Sequence, residues 1–190
     1  MIHPRTRLVS IDREVGDGVV ATRPIPRGTI TWVLDDLDRM FTDSEVAALP
    51  ACYEPLLDRW TFNDGRGHHV LCWDLARFMN HSCEPNCAGS ELGFEIAVRD
   101  IEPGEQLTND YATFHLHPRE QFDCRCGSLS CRGVVTHRDA AHAVEEVRRQ
   151  LATALPAVGE VDQPLWSLIR PRQLADAVRG LRSGVTPRAS

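Results

Sequence analysis

Turn-forming residues divide the N-terminal part of the sequence into short segments. Apolar and polar residues alternate between Leu8 and Trp32, and five residues that favour turns interrupt the alternation: Gly16, Gly18, Pro24, Pro26 and Gly28. An alternation of period two is typical of a half-buried strand, and glycine and proline end such a strand. The sequence therefore predicts a mainly β core of short strands, with no long helix in this region.

Two eight-residue segments resemble each other and strengthen this prediction. Residues 21–28 (ATRPIPRG) and 97–104 (AVRDIEPG) share Ala, Arg, Ile and Gly at the same spacing. Two copies are too few for a repeat protein. We expect one strand-and-turn unit to be used twice.

Short helices and one hairpin are predicted for the middle of the chain. Thr42 and Glu45 have the spacing of a helix capping box, and an apolar turn that includes Leu57 follows Pro55. The sequence Asn63-Asp64-Gly65 between two apolar runs predicts a hairpin.

The C-terminal part differs, because helical periodicity replaces alternation after Cys131. One apolar face predicts a helix from Asp139 to Leu155, and a second helix is predicted after Pro171. Glu145 and Arg149 have the i,i+4 spacing of a helical ion pair. We expect both helices to cover one side of the β domain.

The composition is that of an ordinary globular domain. The chain has 190 residues, 42% of them hydrophobic and 25% charged, so it can bury a core. No apolar run reaches the ~18 residues of a membrane helix. The N-terminal residues lack a signal-peptide core, so we expect a cytoplasmic protein, or a nuclear one if the chain is eukaryotic. The net charge of −6 disfavours direct nucleic-acid binding. All 21 basic residues are arginine, which excludes lysine-based catalysis.

Three of the seven cysteines form a C-x-C-x4-C array: Cys124, Cys126 and Cys131. Such an array predicts zinc binding rather than a disulfide framework. Structural zinc takes four ligands, so a fourth must come from elsewhere in the chain. Cys83 is the best candidate, and His81 and Cys87 are rivals by residue type. Two further cysteines lie in apolar surroundings typical of buried thiols: Cys52 and Cys72.

Two more blocks rich in chemically active residues precede this array. One runs from Arg77 to Cys87 (RFMNHSCEPNC), and the other from Asn109 to Tyr111 (NDY). A cysteine protease built on Cys83 or Cys87 with His81 is disfavoured, because a reactive thiol and its base normally come from distant segments. The glycines of GDG at residues 16–18 are not a dinucleotide fingerprint, since neither a third glycine nor a helix follows.

Together these blocks resemble the SET-domain protein lysine methyltransferases with a post-SET zinc cluster. The resemblance covers about Arg7 to Gly133 and rests on four motifs in the family's order: VGDGV with IPRG near the N-terminus, RFMNHSCEPN, GEQLTNDY and the C-x-C-x4-C-R-G tail. It implies a mainly β fold of narrow sheets around a pseudoknot, in which the Asn80 and Tyr111 segments thread together, with short helices and a C-terminal helical segment. We expect a SET domain at 1–116, a post-SET segment at 117–137 and a helical extension at 138–190.

The resemblance also implies S-adenosylmethionine as methyl donor and a lysine of a protein, expected to be basic, as acceptor. It assigns a cofactor-binding role to seven residues: Gly16, Asp17, Gly18, Arg77, Phe78, Asn80 and His81. It implies one zinc held by four cysteines: Cys83, Cys124, Cys126 and Cys131. Tyr111 is the implied catalytic residue, which positions the substrate amine.

Methyl transfer requires a neutral amine, whereas free lysine has a pKa near 10.4. A narrow apolar channel with a cationic donor at its end lowers that pKa. Asn109 departs from the family, which commonly has Phe or Tyr there. We expect its amide to order a water or bind the amine, which favours low methylation states. Gln106, where the family commonly has Glu, is expected to be structural.

Two other functions are compatible with the sequence. One is a non-catalytic, zinc-stabilised SET-like module that binds a basic protein or peptide, and the other is a zinc-stabilised β domain that binds a basic partner without any cofactor. Loss of Tyr111 or Asn80 would favour the module, and both residues are present.

Overall fold

The computed structural model describes residues 1–64, 66–89, 92–114, 116 and 120–170. Short strands dominate this part of the chain, which confirms the predicted mainly β class. The strands are β1 (Thr6–Asp12), β2 (Gly16–Ala21), β3 (Ile30–Val33), β4 (Arg39–Thr42), β5 (Thr61–Asn63), β6 (His68–Leu71), β7 (Asn80–His81), β8 (Cys87–Ala88), β9 (Phe94–Ala97), β10 (Thr108–Asn109), β11 (Gln121–Asp123) and β12 (Val134–Thr136). The α-helices are α1 (Asp43–Ala48), α2 (Glu54–Trp60) and α3 (Ala140–Ala154).

These strands form narrow sheets of two or three strands each. Antiparallel sheets are built from β1-β2, β3-β9-β8, β4-β6-β5 and β11-β12, whereas β7 and β10 pair in parallel. In the β1-β2 hairpin, the Asp12 carboxylate accepts the N–H groups of Glu14 and Val15 and so fixes the turn. This hairpin places Gly16 to Gly18 at the beginning of β2.

The two similar segments, 21–28 and 97–104, pair with each other. Ile25 and Ile101 exchange two backbone hydrogen bonds, of 3.0 and 2.9 Å. Gly28, which ends the first segment, donates its N–H to the carbonyl of Ala97, which begins the second, at 2.8 Å. Gly104 likewise donates to the carbonyl of Ala21 at 2.8 Å. Both glycines, Gly28 and Gly104, have positive φ angles of 88° and 87°, which favour glycine. The predicted repeated unit is confirmed. In addition, its two copies pair with each other through equivalent hydrogen bonds in both directions.

The predicted features of the middle region are also present. Thr42 and Glu45 form the capping box of α1, and Leu57 is the buried residue of α2. β5 and β6 form the predicted hairpin, in which Asp64 accepts the N–H of Arg66. The sheet β4-β6-β5 and α2 together form one wall of the candidate site.

The largest core cluster lies between α3 and the sheet β3-β9-β8. Val147 and Leu151 of α3 pack with Ile30, Phe94 and Ile96 of that sheet, which confirms the first predicted C-terminal helix and its place on the β domain. The ion pairs within α3 have i,i+3 spacing: Glu145 pairs with Arg148, and Glu146 pairs with Arg149. The predicted i,i+4 pair of Glu145 with Arg149 is therefore wrong.

The helix predicted after Pro171 lies outside the described residues. Among the helices that the structure does describe, none is both long and apolar enough to cross a membrane.

Candidate active site

The parallel pair β7-β10 brings the two polar motifs together. Thr108 lies opposite Asn80 and Asn109 opposite His81, and the N–H of Ser82 donates to the carbonyl of Asn109 at 2.9 Å. Parallel strands cannot be joined by a tight turn, so the chain must make a long connection to reach this pairing. The two segments that the sequence analysis expected to meet therefore do meet.

A cavity of about 920 Å³ lies beside these strands. Its walls are rich in aromatic rings: Trp32, Trp60, Phe62, Tyr111, Phe114 and Phe122. The centroid of the Tyr111 ring lies 5.6 Å from that of Phe114 and 5.8 Å from that of Phe122. Aromatic faces attract cations and accommodate alkyl chains, so this cavity suits a long aliphatic side chain that ends in a positive charge.

Tyr111 is one of the residues that line this cavity. The hydroxyl donates a hydrogen bond of 2.7 Å to the carbonyl of Met79. Burial, and then the negative charge of Glu95, raise the pKa of Tyr111 to about 12. The phenol therefore stays protonated at neutral pH, and its oxygen keeps lone pairs that can accept a hydrogen bond from a ligand.

Asn109 lines the same cavity, and it is 7% exposed. Its Oδ1 atom is buried and accepts no hydrogen bond from the residues that the structure describes. A buried amide oxygen without a donor costs free energy. This oxygen is therefore suited to receive an N–H group from a ligand in the cavity.

A second group of polar residues gathers around the beginning of β2, and it is absent from the lining of the aromatic cavity. Asn80 Nδ2 donates two hydrogen bonds of 3.0 Å, to the carbonyl of Asp17 and to Gln106 Oε1. Gly18 lies against both side chains, because a Cβ there would lie 2.6 Å from Gln106 Oε1 and 2.8 Å from Asn80 Nδ2. Met79 lines the cavity, whereas Asn80, the next residue and the first of β7, belongs to this second group.

This second group fits a cationic sulfonium ligand. It consists of the carbonyl of Asp17 and the side-chain amides of Asn80 and Gln106, which pack closely against Gly18, and all of these groups are uncharged. Neutral oxygen atoms can stabilise a positive charge, whereas a nearby arginine would repel it. Gly16, Gly18, Asp17 and Asn80, which the resemblance connects to the cofactor, are thus neighbours in the structure.

His81 connects the candidate active site to the cysteine cluster. Its Nδ1 accepts the N–H of Tyr111 at 3.1 Å, so the proton of the neutral ring sits on Nε2, which lies 3.4 Å from Cys83 Sγ. Burial lowers the pKa of His81 to about 4 although Asp110 is near. The imidazole is therefore neutral, and it links the backbone N–H of Tyr111 to the Sγ atom of Cys83.

Arg77 and Phe78 lie on the helical turn Leu75–Phe78, and Phe78 packs against the core cluster that contains Val19 of β2. The Arg77 guanidinium donates to the carbonyls of Trp73 and Asp74, and the residue lines the aromatic cavity. The Phe78 ring packs edge-on against Trp60 at 4.7 Å. In this structure both side chains thus support the wall of the aromatic cavity.

Four cysteines come together beside this site: Cys83, Cys124, Cys126 and Cys131. All four Sγ atoms lie within 4.8 Å of one another, and those of Cys83 and Cys124 are 3.7 Å apart. Zinc–sulfur bonds of about 2.3 Å in a tetrahedron separate the sulfur atoms by roughly 3.8 Å. The arrangement therefore fits a four-coordinate metal.

Several N–H groups point at these sulfur atoms, as expected around thiolates. Arg132 donates from its backbone N and its Nε to Cys83 Sγ, at 3.4 and 3.2 Å, and its Nη2 binds Asp110 at 2.7 Å. The other cysteines lie outside the cluster: Cys72 and Cys87 are buried and Cys52 is exposed. Neither Cys87 nor His81 joins the four-sulfur group, although both were rivals for the fourth position.

Three residues of this site were missed by the sequence analysis. Gln106 was expected to be structural, yet it contacts Asn80, and Arg132 joins Cys83 to Asp110. Glu95 is a buried carboxylate that lines the aromatic cavity. An acidic residue between the apolar residues of a strand, as in Phe94-Glu95-Ile96, is the signal that could have identified it.

The central part of this chain is similar in sequence to known proteins. A family model described as SET domain matches residues 16–112. Histone-lysine N-methyltransferase ash1 of Drosophila melanogaster is 33% identical over an alignment of 144 residues, which covers 68% of this chain and 6% of that protein. Human histone-lysine N-methyltransferase EHMT1 is 33% identical over an alignment of 155 residues, which covers 70% of this chain and 11% of that protein.

A third relative is the histone-lysine N-methyltransferase, H3 lysine-9 specific, of Schizosaccharomyces pombe, which is 31% identical over 153 residues. The alignment covers 64% of this chain and 31% of that protein. The family match, the narrow sheets and the parallel pairing of the two motifs agree, and the chain belongs to the SET domain family. It spans only a small fraction of the length of these curated relatives.

Proposed function

We propose that this protein transfers methyl groups from S-adenosylmethionine to a lysine side chain of a protein substrate. The single observation that supports this most is the position of the segment 79–81 between two sites. Met79, Asn109 and Tyr111 line the aromatic cavity, and Asn80, the residue after Met79, belongs to the amide and carbonyl group around Gly18. A cationic donor and an alkylamine acceptor can thus meet at this segment.

Gly16, Asp17, Gly18 and Asn80 would hold the donor, and the backbone of His81 continues the same surface. When bound, S-adenosylmethionine supplies an electrophilic methyl group beside its sulfonium charge. The protein's own residues orient the acceptor. The aromatic walls hold the aliphatic chain, and the oxygen atoms of Tyr111 and Asn109 accept N–H groups of the amine.

The natural substrate is proposed to be a lysine-containing basic protein. Three of the relatives are named histone-lysine methyltransferases, and several acidic side chains line the cavity: Asp43, Asp58, Glu95 and Glu120. Acidic groups around a binding cavity favour the approach of a basic chain. Histone H3 is therefore a suitable first probe.

We propose zinc as the metal of the four-cysteine group. Zinc would supply no reaction step there, because four thiolates leave no open coordination position. Its role is structural: it joins Cys83, which directly follows the Asn80 motif, to the C-terminal segment that carries Cys124, Cys126 and Cys131.

The donor site can be tested by calorimetry with S-adenosylmethionine. The wild-type protein is expected to bind it, and Gly18→Ala to weaken binding at least about tenfold, because the added methyl group displaces the Asn80 and Gln106 side chains. Gly159→Ala is a matched control, since a Cβ at Gly159 meets nothing within 4 Å. Absence of binding by the wild-type protein, or equal binding by both variants, would contradict this assignment.

Asn109→Phe tests the proposed preference for low methylation states. The wild-type protein is expected to produce mainly monomethyl-lysine, because Asn109 Oδ1 holds an N–H group that further methylation removes. Phenylalanine removes this acceptor, and the share of di- and trimethyl-lysine should rise severalfold by mass spectrometry. Efficient trimethylation by the wild-type protein, undiminished in Asn109→Phe, would refute this role.

A further inference from the structure

The aromatic cavity contains a buried carboxylate, that of Glu95. This residue is 3% exposed and lines the cavity with Tyr111 and Asn109. Its strand neighbours Phe94 and Ile96 belong to the core cluster under α3, so the alternation along β9 directs Glu95 to the opposite face. There it lies across from Trp32, which also lines the cavity. Burying a carboxylate is costly, so its place in a cavity indicates a function rather than packing.

The groups that Glu95 faces are neutral at physiological pH. Burial, and then the Glu95 charge, raise the pKa of the Tyr111 hydroxyl and of the Cys87 thiol. Burial raises the pKa of the Cys72 thiol, with smaller contributions from Asp38, Asp74 and Glu95 in that order. Among the described residues that line the cavity, the other charged or titratable side chains are exposed or half-buried: Asp43, Asp58, Arg59, His69, Arg77 and Glu120. Glu95 is therefore the buried carboxylate among the described residues that line the cavity, and the part that it lines with Tyr111 and Asn109 is called the inner cavity.

The lining also contains polar groups suited to a ligand with several N–H groups. Asn109 Oδ1 is buried and receives no hydrogen bond from the described residues. An alkylammonium has three N–H donors. The oxygen atoms of Tyr111, Asn109 and Glu95 provide acceptors for such a group within one cavity.

A lysine that enters this cavity must lose a proton before its nitrogen can accept a methyl group. Tyr111 cannot take that proton, because its hydroxyl is protonated up to about pH 12 and already donates to the carbonyl of Met79. Asn109 is an amide and has no basic atom. Of the groups that line the inner cavity, Glu95 has the chemistry of a base.

We propose that Glu95 is the general base of this cavity and accepts a proton from the substrate ammonium group, an inference that rests on the proposed methyltransferase function. An N–H bond of the ammonium breaks and leaves its electron pair on nitrogen, while an O–H bond forms on the Glu95 carboxylate. That electron pair then forms the bond to the methyl carbon, and the sulfonium sulfur keeps the pair of the broken S–C bond. After the product leaves, Glu95 returns its proton to water through the open cavity.

This proton transfer is favoured inside the cavity. Burial disfavours the charged form of both a carboxylate and an ammonium, so transfer of the proton converts two buried ions into two neutral groups. A positioned general base contributes on the order of 10²- to 10⁴-fold to a rate. Glu95 thus makes the reacting amine available at a pH at which free lysine is almost entirely protonated.

The test is the pH dependence of the single-turnover rate of Glu95→Gln, with S-adenosylmethionine and a lysine peptide of histone H3 at saturation. At neutral pH the variant should be slower by about 10²-fold. Its rate should rise by nearly tenfold per pH unit up to about pH 9, because only the amine that is already neutral reacts. The wild-type rate should be nearly flat over the same range, and KM should change little.

Two controls separate a base from a structural role. Glu95→Asp keeps a carboxylate and should keep the flat profile at a reduced rate. Glu160→Gln removes an exposed negative charge outside the cavity lining and should keep the wild-type rate and profile. An equal loss of rate at every pH in Glu95→Gln, or a steep profile in Glu95→Asp, would overturn the role of Glu95 alone. A wild-type protein that transfers no methyl group overturns the proposed function itself.

Discussion

Substitution of phenylalanine for Tyr111 is expected to lower the rate of methyl transfer by about 10²- to 10³-fold, the cost of losing one preorganised polar group. Tyr111 lines the aromatic cavity, and its hydroxyl is fixed by a hydrogen bond to the carbonyl of Met79. Phenylalanine keeps the ring contacts with Phe114 and Phe122 but removes the oxygen that accepts an N–H group of the substrate. The amine then loses its alignment, whereas the donor site around Gly18 is unchanged.

Two measurements distinguish this effect from unfolding. The variant leaves the carbonyl of Met79 without a donor, at a cost of about 1 kcal/mol, so its Tm should fall by only a few degrees. Its affinity for S-adenosylmethionine should equal that of the wild-type protein. Tyr53→Phe is a matched control, because Tyr53 is 47% exposed and lies outside the cavity lining. A Tyr111→Phe protein as active as Tyr53→Phe would refute the catalytic assignment.

Substitution of serine for Cys83 is expected to release the metal and destabilise the protein. Structural zinc binds small modules with an apparent free energy on the order of 10 kcal/mol. Loss of one of four ligands should weaken binding enough for the metal to dissociate, and the Tm should fall by at least roughly 10 °C for a chain of this size. Metal analysis should find about one zinc per wild-type chain and none in the variant.

The effect should extend to the active site. Cys83 lies 3.4 Å from His81 Nε2, and His81 Nδ1 accepts the N–H of Tyr111. The Phe122 ring of β11, two residues before Cys124, packs against both His81 and Tyr111. A chelator should therefore abolish methyl transfer by the wild-type protein. Cys52→Ser is the control, since Cys52 is exposed and lies outside the four-sulfur group. Zinc retained by Cys83→Ser, or full activity without metal, would contradict this account.

The sequence predicts those parts of the fold that depend on local patterns. The strands near Gly16, the capping box of Thr42 and Glu45, and the helix α3 all follow from periodicity and turn chemistry, and they are present. The pairing of β7 with β10 depends on a long connection, so it was expected only because the motifs resemble a known family. The mutual pairing of segments 21–28 and 97–104 could not be predicted from local patterns, because the two segments are far apart in the sequence.

The site residues show the same division. Tyr111 and the cysteine array stand out because of their residue types and spacing. The direction of Glu95 depends on which face of β9 is covered by α3, and no local pattern determines that choice. Gln106 and Arg132 acquire their contacts only after distant segments meet: Asn80 for the first, and Cys83 with Asp110 for the second.

The most direct test of the central claim is the transfer of a labelled methyl group from S-adenosylmethionine to histone H3 or another basic protein, with the modified residue located by mass spectrometry. Because the chain contains no lysine, label on a lysine must belong to the substrate. We expect label on a lysine side chain, lost in Tyr111→Phe. Absence of transfer by a folded, zinc-containing protein that binds S-adenosylmethionine, or label on residues other than lysine, would contradict the proposed function.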